Sequence, residues 1–148
     1  MKVTTDLKKL YDTNYIEWLE QTIELLKNRQ MEQIDYENLI EEIEDLAKRE
    51  KRRLRSLLEQ IIRHLLLYQY WKLERQQNSS HWKAEIISFR NQLNEDLTTN
   101  LRQYLEENLS LTYSNALDYI KTKTKLNTLP DICPYSLDQL IDKNWLPS

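Results

Sequence analysis

The sequence predicts an all-α protein: a helical bundle of four main helices, the second long or broken, followed by a C-terminal extended segment and a short helix. Three observations predict it. The chain has no glycine, and its three prolines all lie after residue 129. Apolar residues recur at three- and four-residue spacing over most of the length, the period of a helix with one buried face. The polar stretches between the periodic segments are short. Tight hairpins and Gly-rich phosphate loops need backbone at positive φ, which glycine reaches at least cost, so nucleotide-binding fingerprints built on glycine are excluded.

Residues 13–28 read as the first helix, with Tyr15, Trp18, Leu19, Thr22, Leu25 and Leu26 at helical spacing. Asp12 or Thr13 is the expected cap, and Asn28-Arg29-Gln30 the expected end, asparagine being second to glycine in a left-handed cap. Asp35 opens the second helix, with Glu37 where the helix dipole favours an acid. Leu39, Ile43, Leu46, Leu54, Leu57, Leu58, Ile61, Ile62 and Leu65 mark one apolar stripe continuing to Gln76. A helix of that extent spans about 60 Å, so a bend is expected near 47–52, where the stripe carries only charged residues.

Gln76-Gln77-Asn78-Ser79 reads as a turn, with Ser79 or Ser80 capping a third helix that carries Trp82, Ile86, Phe89, Leu93 and Leu97. A fourth helix carries Leu101, Tyr104, Leu105, Leu109, Tyr113, Ala116, Leu117 and Ile120. Leu129 through Tyr135 reads as ordered and non-helical. Ser136-Leu137-Asp138-Gln139 has the form of a capping box opening a short helix, and Trp145 is expected to pack back on the bundle.

At 148 residues the chain is long enough to bury a core, and residues 1–148 are expected to form a single domain. A net charge of −3 gives no global attraction to nucleic acid or anionic membrane. The single cysteine, Cys133, excludes an intramolecular disulfide and a Cys-based zinc cluster; it reads as a semi-buried packing residue. The N-terminal MKVTTDLKKLYD has no apolar signal core, and the run Leu65-Leu66-Leu67-Tyr68 is too short to span a bilayer. A soluble cytoplasmic protein is the expectation.

Several short blocks occur in a fixed order: Tyr11 through Trp18; Asp35-x-x-x-Leu39-x-Glu41-Glu42-Ile43-Glu44; Arg52-x-Leu54-x-Ser56-x-Leu58; His64-Leu65-Leu66; Ser80-x-Trp82-x-x-x-Ile86-x-x-x-Arg90; and Pro134-Tyr135-x-Leu137-x-Gln139-Leu140. In these the chain resembles the bacterial family called domain of unknown function 29 over nearly its whole length. One departure is Ala47, where such proteins usually carry glycine. The resemblance implies an almost all-helical fold and no established activity, substrate or cofactor.

The most charged stretch places acids 41–45 before Lys48, Arg49, Lys51, Arg52, Arg53 and Arg55. Such a block could contact phosphates if presented on one face. The acid-then-base order instead predicts pairs four residues apart, Glu44 with Lys48 and Asp45 with Arg49, on a solvated face. Glu42, Glu50 and Arg53 fall at the margins of the apolar stripe, and His64 falls on it. Glu50 and His64 are about 21 Å apart along an unbroken helix, and no Glu-x-x-His or His-Glu-x-x-His pattern occurs. Because buried charge is costly unless paired, Glu42, Glu50, Arg53, His64 and Arg90 are expected to meet partners between helices.

The reading places a non-enzymatic helical interaction or scaffold protein first, acting through a protein partner or as a homo-oligomer, without cofactor or membrane attachment. Two alternatives stand beside it. One is a metal-binding or acid/base enzyme using core carboxylates and His64. The other is a nucleic-acid-associated protein using residues 48–55, with Lys48, Arg49, Lys51, Arg52 and Arg55 as contacts.

Overall fold

The computed structural model describes residues 3–148, with side chains from Leu7 onward. Among the described residues there are seven α-helices and no strand: α1 (Val3–Thr13), α2 (Tyr15–Lys27), α3 (Tyr36–Tyr70), α4 (Lys72–Asp96), α5 (Thr99–Glu107), α6 (Leu109–Thr124) and α7 (Leu137–Ile141), with a 3₁₀ turn at Met31–Gln33. The all-α expectation is met. No described helix is long and apolar enough to cross a membrane. The chain forms two compact units, one ending at Arg49 and the other running from Glu50 to Ser148.

The first unit holds α1, α2 and the opening turns of α3 around Leu7, Trp18, Leu25 and Ile34. Its first helix was not anticipated. Asn14 alone separates α1 from α2, and the cap is Asn14 rather than Asp12 or Thr13: Glu17 N–H donates to the Asn14 side chain at 3.2 Å, while the Thr13 hydroxyl donates back to the Lys9 carbonyl within α1. At the far end of α2 the left-handed residue is Arg29, φ 59°, not Asn28. Asp35 is buried at the start of α3; its carbonyl accepts from Leu39 N–H at 3.0 Å. Its carboxylate accepts from the Trp18 indole at 3.2 Å and the Asn38 amide at 2.7 Å.

The second unit is built on the C-terminal part of α3, where Leu54, Leu58, Ile61, Ile62, Leu65 and Leu66 are fully buried. Trp82, Ile86 and Leu93 of α4, Leu105 of α5, and Tyr113, Ala116 and Ile120 of α6 complete this core, with Leu129, Tyr135, Leu137 and Leu140 from the tail. The expected stripe is therefore buried only from Leu54 onward. Ile43 and Leu46, assigned to the same stripe, are 56% and 58% exposed.

Three further expectations are corrected. α3 is continuous through residues 47–52, where nothing in the sequence breaks a helix. The turn expected at Gln76–Ser79 lies inside α4, in its second turn, and the interruption falls at Trp71, φ −90° and ψ 69°. Glutamine is a good helix former, and the Asn78 amide donates to the Glu74 carbonyl and carboxylate without leaving the helix. The expected fourth helix is two, divided at Asn108, whose side-chain amide donates to the Tyr104 carbonyl at 2.8 Å and competes with the backbone ladder there. The capping box at Ser136 and Gln139 is present in both directions. In this glycine-free chain α6 ends on Lys125 at φ 59°, a conformation that costs a residue bearing Cβ about 1–2 kcal/mol.

Candidate functional site

Of the five polar residues expected to meet partners between helices, Glu42, Arg53 and Arg90 reach other elements, while Glu50 and His64 bond within α3. In the first unit Glu42 accepts hydroxyl hydrogen bonds from Tyr11, at 2.6 Å, and from Tyr15. Those two donors hold its carboxyl below the usual range, and Tyr11 and Tyr15 are themselves pushed up by the carboxylate. In the second unit Glu50 pairs with Arg53 one turn on, at 2.8 Å, and Arg53 also reaches Asp96 of α4. His64 bonds within its own helix: Nδ1 lies 2.7 Å from the Gln60 carbonyl. Since that acceptor has no hydrogen to give, Nδ1 carries the proton, and in the neutral ring Nε2 keeps a free lone pair. Burial lowers the His64 pKa, opposed by the Gln60 carbonyl and Glu85.

Arg90 is 1% exposed and has the most developed partner set. Its Nε donates to the Leu140 carbonyl at 2.8 Å, Nη1 to Trp145 at 2.8 Å and Nη2 to Gln139 at 3.0 Å. The carbonyls of Gln139 and Leu140 belong to the last turn of α7, where a helix leaves acceptors unsatisfied and a cation is favoured. Burial lowers the Arg90 pKa, with Asp142 opposing. Arg90 thus joins the Ser80–Arg90 block to the Pro134–Leu140 block, two of the segments noted in the sequence.

A family model described as "Domain of unknown function DUF29" matches residues 10–146. The chain belongs to the DUF29 family. No curated protein and no solved structure matches it. The family description names no chemistry, so each DUF29 residue with a candidate role is assessed on its own contacts.

The basic segment is not internally paired as expected. Neither Glu44–Lys48 nor Asp45–Arg49 comes within 4 Å among the described residues, consistent with the small gain of exposed pairs against the entropy of two long side chains. Lys51 lies over the Tyr104 ring at 5.4 Å, and Arg55 donates to the Tyr104 hydroxyl at 3.4 Å. Lys48, Arg49 and Arg52 are exposed. Among the described residues no group of three His, Cys, Asp or Glu side chains is placed to hold a metal. Cys133 is half-buried, its thiol directed to the Tyr135 carbonyl and pushed up by burial.

Two features remain. The first is an exposed apolar stripe on the opening turns of α3: Tyr36 at 49%, Ile40 at 54% and Ile43 at 56%, followed by exposed Ala47. The second is a cavity of about 360 Å³ inside the second unit. Arg63, His64 and Leu67 line it from α3, Trp71 from the interruption, Glu74, His81 and Trp82 from α4, and Tyr119 and Lys123 from α6. Sequence reasoning singled out His64 and missed the rest, because with the interruption assigned to residues 76–79, His81 and Glu74 fell on different helices.

Proposed function

We propose that this DUF29 protein is a non-enzymatic interaction protein that pairs with a second copy of itself through the exposed stripe at the start of α3. One observation carries the reading: Tyr36, Ile40, Ile43 and Ala47 stand at i, i+4, i+7 and i+11, within about 60° of the helix circumference, and all four are exposed. Isolated exposed apolar residues are ordinary, but an aligned row marks a surface built to be covered.

Charge selects the occupant. Glu37, Glu41 and Glu44 precede Lys48 and Arg49 along the same helix. A parallel copy would set like charges side by side; an antiparallel copy sets the acidic half against the basic half. A two-fold axis produces that arrangement from one surface. Glu44 and Lys48 stand on one side of the row, about 70° and 110° from its centre, and neither has an ion pair among the described residues, which leaves them available across such an interface. In this arrangement the apolar row supplies the driving force, and the charges fix direction.

Sedimentation equilibrium of the full chain tests the proposal. A dimer is expected with a dissociation constant of about 10 µM or tighter. The I40E/I43E double substitution, at exposed positions, should leave helical circular dichroism intact and give a monomer. K48E and E44K should each weaken self-association, and mixing the two should restore it as a heterodimer. A wild-type chain that stays monomeric at about 100 µM, or a dimer indifferent to I40E/I43E, overturns the reading.

A further inference from the structure

The cavity in the second unit has no part in that pairing, and its lining specifies a ligand. Arg63 and Lys123 bring two fixed positive charges from α3 and α6, against one lining carboxylate, Glu74. Glu74 already accepts from the Asn78 amide at 3.2 Å. Lys123 makes no ion pair among the described residues. Arg63 lies over the Tyr119 ring, its Cζ 3.7 Å from the centroid, with one arm on Glu59 at 2.6 Å. Its Nε is buried and has no acceptor among the described residues. A preorganised guanidinium with an unsatisfied donor, and an unpaired ammonium lining the same cavity, make a setting for an oxyanion.

The remaining wall is aromatic. Trp71 and Trp82 stack with ring centroids 6.2 Å apart and planes 18° from parallel, and both line the cavity. Burial keeps His64 neutral, with Nε2 as an acceptor rather than a cation. Its ring lies 5.4 Å from that of Phe89, centroid to centroid. The lining is mainly polar, with Gln60, Asn78 and His81 beside the charged groups, so the two indoles supply a flat apolar wall in a cavity of about 360 Å³, a volume in the range of small-molecule sites.

We infer that this cavity binds a small planar organic anion, its carboxylate or phosphate beside Arg63 and Lys123 and its ring against Trp71 and Trp82. The shared chemistry is an oxyanion on a flat apolar body, and the probes separate its possible sources. The full-length ¹⁵N-labelled chain is titrated with 2-naphthoate, 2-naphthyl phosphate, neutral 2-naphthamide, cationic 2-naphthylmethylammonium and inorganic phosphate, following the four indole N–H resonances. One or both naphthyl anions should move the Trp71 and Trp82 signals saturably while those of Trp18 and Trp145 stay in place. Their relative affinity identifies the preferred anion. The amide, the ammonium and free phosphate should each bind at least tenfold more weakly than the better anion.

Lys123 is exposed, so K123E should retain the wild-type indole pattern and weaken that anion at least tenfold. W71L should lose the preference for the naphthyl compounds over inorganic phosphate. Naphthyl anions that leave Trp71 and Trp82 unmoved, a tighter fit for the ammonium, or unchanged affinity in K123E would overturn the inference. None of these outcomes depends on the oligomeric state.

Discussion

Replacing Arg90 by methionine tests the contact on which the C-terminal segment depends. Methionine keeps an unbranched apolar stem and removes the guanidinium. The three carbonyls at Gln139, Leu140 and Trp145 then lose donors at 3.0, 2.8 and 2.8 Å. A hydrogen bond to a charged group is worth about 1.5–3 kcal/mol, which for three gives about 4.5–9 kcal/mol gross. Against this stands the cost of holding a guanidinium out of water, several kcal/mol for a buried ion. A net loss of about 3 kcal/mol follows, or about 1 kcal/mol for each orphaned carbonyl. For a chain of this length that shifts the thermal midpoint by about 6–12 °C. Urea unfolding followed by circular dichroism measures the loss. Trypsin cleavage at Lys143 reports release of the tail, since α7 and Trp145 are the elements unclamped. R90K should fall between, because a compact ammonium cannot match the spread of three carbonyls that the fork reaches. An R90M protein within about 1 kcal/mol of wild type, or R90K equal to wild type, would refute the clamp.

Two further outcomes follow from the titratable groups. His64 has its folded pKa depressed by burial, so the unfolded chain takes up its proton first as pH falls. Its contribution is therefore complete above the unfolded value of about 6.5 and is lost below it. H64Q should flatten stability between about pH 7 and 5, measured by urea midpoints with His81 and Glu85 left in place. An unchanged slope would show that His64 is not the responsive group. In the first unit, Tyr11→Phe with Tyr15→Phe should return the Glu42 carboxyl upward toward its ordinary value, because both hydroxyls that hold it low are removed. Carboxyl ¹³C titration reads this directly, and a Glu42 pKa that does not rise would contradict the shared-acceptor geometry.

Much of the helix content was legible in the residues themselves, and the reasons are local. Ser136 and Gln139 specify their capping box within four residues, and Leu54 through Leu66 specify a buried face by period alone. The errors fall where a side chain's tertiary partner decides. Gln76–Ser79 is polar without being a helix breaker, so nothing local required the turn assigned there. Trp71 interrupts the helices while stacking on Trp82, eleven positions along the chain. The α5–α6 division at Asn108 depends on whether a side-chain amide takes a backbone carbonyl, which composition does not state.

The candidate sites divide in the same way. Periodicity placed Ile43 and Leu46 on one stripe with Leu54, but it describes only which residues share a helix face. Burial also requires something packed against that face, and the structure supplies it from Leu54 onward and leaves Ile43 and Leu46 in solvent. Sequence by itself determined an all-α chain of the DUF29 family, its buried helix period and its last cap. Only the tertiary structure decided that Glu42 meets two tyrosines, that Arg90 binds carbonyls rather than a carboxylate, and that His64 opens on a cavity with Arg63 and Lys123. Those are contacts between residues distant along the chain. Their energies depend on burial and orientation, and neither quantity is defined until the helices have packed.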